Sequence, residues 1–173
     1  MVLRIDAHSS RELQAILLAV RRAPKEIQAQ IRKQSKAIAQ PEWQKSMAEH
    51  ARTRLEHMVL VRTARVSVSN QNIRLSSASI GKSLAGGLKP SQSYAAVEFG
   101  ADRSSTRTYE ATSRKGRRYT VHQRRTTAQL RPRNVNGFVF YPAVAQMIPR
   151  IASLWAQTTV RTFAEALEGK SNG

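Results

Sequence analysis

Near Arg62 the apolar residues of this chain change period, from every third or fourth residue to every second. Upstream, Leu13, Ile16, Leu17 and Val20 recur at helical spacing. So do Ile27, Ile31 and Ile38, and then Trp43, Met47, Ala51, Leu55 and Met58. Downstream, Val66 and Val68, and then Ile73 and Leu75, alternate with Arg, Ser and Asn. From Pro142 the helical spacing returns, with Val144, Ile148, Ile151, Trp155, Phe163 and Leu167. Helices, then alternating strands, then a helix predict an α+β fold, with a C-terminal helix packed on a small antiparallel sheet. No stretch repeats at a fixed period, which argues against a solenoid.

Local signals place the boundaries. Ser9 or Ser10 can cap the first helix, and Glu12 completes a capping box with Ser9. Pro24 suits the first turn of a second helix. Gln40-Pro41 predicts a break before a third stretch that runs to about Leu60, so 9–60 reads as helical. Ser69-Asn70-Gln71-Asn72 is turn chemistry, so 64–69 and 72–77 form a β-hairpin. Residues 79–93, rich in Ser, Gly and Lys, read as a loop. Residues 94–99 read as a strand ending at Gly100, and 101–116 as a long exposed basic loop. Residues 118–125 follow as a strand with Tyr119 and Val121 on one face, and 135–140 as a last strand or its approach. The sheet therefore occupies 64–140 and the last helix 142–168, with Pro149 starting its main part or kinking it. Ile148, Ile151, Leu154 and Trp155 form the face that meets the sheet. One domain covers 1–169, and 170–173 is a frayed tail.

Charge narrows the function. The chain has 29 Lys and Arg against 11 Asp and Glu, a formal charge of +18 over 173 residues. Such an excess points to a negative partner: nucleic acid, an anionic surface or an acidic protein. From Arg103 to Arg133 there are ten basic residues and one acid, Glu110. Two dense clusters, Arg114-Lys115-Gly116-Arg117-Arg118 and Arg124-Arg125, flank Tyr119-Thr120-Val121-His122. Arginine offers a planar fork for phosphate or carboxylate. Only Tyr109 and Tyr119 interleave with the cations, which is thin support for base stacking. Contact through charge, without sequence reading, is the expectation. Arg103, Arg107, Arg114 and Lys115 are expected to be neutralised by a partner on assembly.

Catalytic patterns are hard to find. Without cysteine there is no disulfide scaffold, no cysteine nucleophile and no Cys-ligated zinc site. Ile80-Gly81-Lys82-Ser83 resembles the end of a phosphate-binding loop, but Ser76 stands where that loop needs its first glycine. His50 and His57 are seven residues apart, not the four typical of a helical metal pair. No Gly-x-Ser-x-Gly elbow occurs. Glu98, Asp102 and Glu110 are the only acids between Glu56 and Glu165, and in so basic a region structural ion pairs are expected of them. Neither an enzymatic activity, a cofactor nor a metal is expected. The longest uncharged stretch, 134–149, carries two Pro and two Asn and is too short and broken to span a bilayer.

Taken in order, several segments resemble the neck proteins of long-tailed bacteriophages, the tail-completion, head–tail joining or minor tail proteins. They are Arg22-Ala23-Pro24-Lys25-Glu26-Ile27, Val97-Glu98-Phe99-Gly100-Ala101, Arg118-Tyr119-Thr120-Val121, and Gly137-Phe138-Val139-Phe140-Tyr141-Pro142-Ala143. The resemblance covers most of the chain and implies a non-enzymatic virion protein, assembled in the host cytoplasm. It implies a self-assembled ring, commonly a hexamer, between a head-side connector or stopper and a tail terminator or tail-tube protein. Packaged DNA in the lumen is a further implied partner. A tail terminator capping the tube is the alternative position. A charge-driven nucleic-acid-binding protein is the alternative of another class. The resemblance also implies that Glu98, Phe99 and Gly100 end a strand near the subunit contact zone. Phe140 and Pro142 would set the entry to the last helix.

Overall fold

A computed structural model describes residues 1–6, 11–79, 81–84, 87–102, 106–124 and 130–171. The chain opens with strand β1 (Val2–Asp6), then helices α1 (Arg11–Arg22) and α2 (Lys25–His50). A short helix α3 (Arg54–Glu56) runs into a π-helical turn, His57–Val61. Strands β2 (Arg65–Val68) and β3 (Asn72–Ser76) follow, then helix α4 (Pro90–Phe99). Strands β4 (Thr106–Thr112) and β5 (Arg118–Arg124) precede the last helix, α5 (Phe140–Ser171). The expected α+β architecture is present: N-terminal helices, a small antiparallel sheet with a hairpin, and a C-terminal helix against the sheet region.

The core sheet has the order β1-β3-β2, antiparallel throughout. Its hairpin matches the expected one. Ser69 Oγ accepts from the backbone N–H of Gln71 and Asn72, which holds the turn. Val66 and Leu75 stand opposite each other, as do Val68 and Ile73. Ile73 and Leu75 on the central strand are fully buried. The outer edge of β2 is closed by a side chain. Gln40 of α2 donates to Ala64 O at 3.1 Å and accepts from Val66 N at 2.8 Å. One amide thus occupies the backbone groups that a further strand would use, which protects the edge.

Helices α2 and α5 form the long axis of the core. Trp43 of α2 is fully buried, donates its indole N–H to Ser76 O at 3.3 Å, and meets Phe140 edge-on at 5.5 Å between ring centres. It therefore ties helix α2, strand β3 and the start of α5 together. Helix α5 lies mainly along α2 and also reaches β1 and α1. Val144, Met147, Ile151 and Trp155 are buried along it. Ile148, expected in that face, is 39% exposed, and Leu154 is only half-buried. The buried stripe at 144, 147, 151 and 155 turns both away from its centre.

Three further expectations are corrected. Helix α2 runs through Pro41 without a break. Pro41 faces solvent, while Ala39 and Trp43 on either side are buried, so packing holds the helix across its missing N–H. Pro41→Ala is expected to stabilise the protein by about 1–3 kcal/mol, since proline is a poor interior helix residue. A raised melting temperature checks this; a lowered one would show that the core depends on proline at this position. Ile38, expected beside Ile31, is exposed, while Ser35 and Ala39 take the inner positions. Helix α5 begins at Phe140 and continues through Pro149 to Ser171, so the expected frayed tail is helical at 170 and 171. The expected capping by Ser9 or Ser10 falls outside the described residues.

Candidate functional site

The segment 94–99, expected as a strand, is the second half of α4. Two local signals favour the helix. Pro90 sits at its first turn and Gly100 just past its end, the usual proline–glycine asymmetry. Ala95 and Ala96 add helix propensity. The helix buries Val97 and Glu98 and packs on the π-helical turn.

Glu98 is 0% exposed, and no cation among the described residues pairs with it. Its carboxylate instead receives backbone N–H groups at the start of α5. Phe140 N donates to Oε2 at 2.9 Å, Tyr141 N donates to Oε1 at 3.2 Å, and Val139 N lies 3.3 Å from both oxygens. The first N–H groups of a helix have no partner within it, and they carry the positive end of its dipole. A side chain from α4 therefore caps α5. The expected ion pair at Glu98 is replaced by this cap, and residues 135–140 form a turn and helix start instead of a strand. Asn134 shapes the turn by accepting from Asn136 N and donating to Gly137 O, both at 3.0 Å. Gly137 has φ +74°, and a Cβ there would overlap Glu98 Oε1.

The other end of this segment is clasped just as closely. Gly100 has φ +71°, and a Cβ on it would collide with the carbonyl oxygens of Arg131 and Pro132. Ala101 N donates to Arg131 O at 3.0 Å, and Asn134 N donates to Phe99 O at 2.8 Å. Arg131 lays its guanidinium over the Phe138 ring, 3.7 Å from its centre, and reaches Glu56 Oε1 at 3.5 Å. Glu56 is itself buried. Its Oε2 accepts from Arg52 N at 2.7 Å and Thr53 N at 3.0 Å, which completes a capping box with Thr53. Two buried glutamates thus fix the base from which 102–130 leaves and to which it returns.

What leaves the base is a hairpin. Most of the expected loop 101–116 is strand β4, paired with β5 from Thr106↔Arg124 to Thr112↔Arg118. Alternate Thr residues supply β propensity without apolar alternation, so the strand does not show in a hydrophobic pattern. The turn closes through Ser113 N to Arg117 O at 2.8 Å and Gly116 N to Ser113 O at 2.9 Å, with Gly116 at φ +76°. A three-residue turn with a left-handed glycine is a common hairpin closure.

The register separates two faces. Tyr109, Ala111, Tyr119 and Val121 share one, and Tyr109 and Tyr119 are 42% and 51% exposed. Thr108, Glu110, Thr112, Arg118, Thr120 and His122 share the other, where Thr108 Oγ1 and His122 Nδ1 are 3.0 Å apart. The expected exposure of this region holds, but as an ordered two-stranded arm. Arg114, Lys115, Arg117 and Arg118 crowd its tip and are exposed. No carboxylate among the described residues pairs with them.

The residues singled out from sequence therefore fall in two places. Glu98 and Gly100 lie in the base, with Phe99 half-buried against Tyr141 at 5.6 Å between rings. Arg114, Lys115, Arg117 and Arg118 form the tip. Arg107 and Arg124 are strand residues at the root of the arm. Arg103 and Arg125 lie outside the described residues. Phe140 and Trp155 are core, and Pro142 sits half-buried in the first turn of α5. Sequence reasoning missed Glu56 and gave no structural role to Arg131 or Gly137. A glycine two residues after Asn134-Val135 is the one visible sign of the turn. Among the described residues no cluster of His, Asp and Glu could hold a metal ion, and no helix is long and apolar enough to cross a membrane.

Comparison with family models, curated proteins and solved structures finds no match to this chain.

Proposed function

We propose that this chain is a structural assembly protein that forms a ring in the neck of a tailed phage, joining the head connector to the tail. The observation that carries the reading is a convergence. Of the four segments that resemble neck proteins, 97–101 and 137–143 are about forty residues apart in sequence but build one device, while 118–121 lies in the arm and 22–27 at the junction of α1 and α2. Segments 97–101 and 137–143 interlock through Glu98 and the N–H groups of Val139, Phe140 and Tyr141, and the chain between them carries the β4–β5 hairpin. Such a device suits a protein that offers a cationic contact element to a neighbour from a packed body. The tail terminator position remains the alternative within the same class.

Native mass spectrometry of the chain, alone and mixed with connector and tail-tube proteins, tests the reading. A closed ring of defined copy number, six by the resemblance, is expected in at least one mixture. A chain that stays monomeric and binds neither protein overturns it.

A further inference from the structure

We propose that the β4–β5 arm binds duplex nucleic acid, with its tip cations on the phosphates and its ribbon in the major groove. The inference takes no support from the ring reading.

Charge complementarity is the first argument. Residues 106–124 carry six basic side chains and one acid, Glu110. The four at the tip, Arg114, Lys115, Arg117 and Arg118, are exposed and lack a carboxylate partner among the described residues. Holding them so close costs electrostatic energy that a polyanion would relieve. A second copy of this chain brings a further +18 with it, so long-range repulsion opposes that partner.

Shape is the second argument. The major groove, about 12 Å wide, admits a two-stranded ribbon. The arm is such a ribbon, seven residues in each strand, or roughly 23 Å long. Its two strands are already paired with each other, so it enters a groove as a formed ribbon. Its polar face carries Thr108, Thr112 and Thr120 hydroxyls beside Arg118, side chains that commonly contact phosphate and sugar, with Glu110 the one acid among them. No set of side chains there dictates a base sequence, so the binding is non-specific.

The competing explanation is diffuse attraction by a basic protein. Two quadruple variants separate them. One replaces Arg114, Lys115, Arg117 and Arg118 with Ala. The other replaces Lys25, Lys33, Lys36 and Lys45, all exposed on α2, and removes the same charge. Fluorescence anisotropy with a labelled duplex of about 30 base pairs, long enough for the arm and its flanks, measures both over a salt series. Urea unfolding checks that both stay folded. The arm variant is expected to lower the slope of log K against log salt by about 3–4 and to weaken binding by roughly 100-fold or more at about 0.1 M salt. The α2 variant is expected to retain most of the slope. Equal losses in the two variants would overturn the proposal in favour of diffuse charge. It would also be overturned if the wild-type chain fails to bind the duplex, or if polyglutamate at equal charge displaces it fully, since the partner would then be an acidic protein. Copy number is read separately by mass, so this proposal and the ring reading fail independently.

Discussion

Gly137→Ala is expected to cost the protein about 4 kcal/mol, a large share of the stability of a domain this size. Two effects combine. The residue sits at φ +74°, where a side chain adds about 1–2 kcal/mol of strain. Its new methyl also meets Glu98 Oε1, so the carboxylate must leave the N–H groups of Val139, Phe140 and Tyr141. A buried carboxylate and unpartnered donors together account for the remaining cost, about 2–3 kcal/mol or more. Glu98→Ala removes the carboxylate but leaves the donors, and is expected to cost about 2–4 kcal/mol. Urea unfolding of both single variants and the double variant gives the decisive result. The double variant should be markedly less destabilised than the sum, because the truncated side chain at position 98 leaves room for the methyl at 137. Strict additivity would show that the two residues do not share the contact described.

The second large effect is expected at the two buried tryptophans, and it differs between them. Replacement of either by Ala should cost about 3–5 kcal/mol, the usual loss for a buried aromatic. Replacement by Phe should separate them. Trp43 donates to Ser76 O, so Trp43→Phe loses that bond, worth about 1 kcal/mol, in addition to volume. Trp155 Nε1 is buried with no hydrogen-bond partner among the described residues. Trp155→Phe therefore sheds a desolvated donor, which offsets part of the cavity cost. Thermal melts should rank Trp43→Phe clearly below Trp155→Phe. The reverse order would mean that ring shape at 155 outweighs the unpartnered N–H.

Local periodicity carried much of the architecture. The β2–β3 hairpin was legible because Val66, Val68, Ile73 and Leu75 alternate around a Ser-Asn turn. Strand β5 and the long C-terminal helix were legible for similar reasons. The failures share a cause: a distant partner decided the outcome. Strand β1 pairs with β3 some seventy residues away, and nothing in its five residues announces that partner. Tyr94, Val97 and Phe99 look strand-like, but burial of Glu98 under the start of α5 fixes them in a helix. Pro41 looks like a stop, but Ala39 and Trp43 are packed on both sides of it. In the site, the cationic tip was visible as a charge cluster. The glutamates and glycines that plant the arm were not, because their importance arises only when three separate stretches of chain, 52–56, 97–101 and 131–141, meet.

The clasp between Gly100–Ala101 and Arg131–Pro132 makes the arm modular. The two backbone crossings of the arm meet side by side, joined by a single bridge, and the body folds around that bridge. Everything distal to it is a cassette. A change of length, charge or turn within it leaves the hydrogen bonds of the clasp and the buried core untouched. The stretch between the two crossings can therefore be shortened, exchanged or grafted as a unit, and the core that carries it need not be repacked.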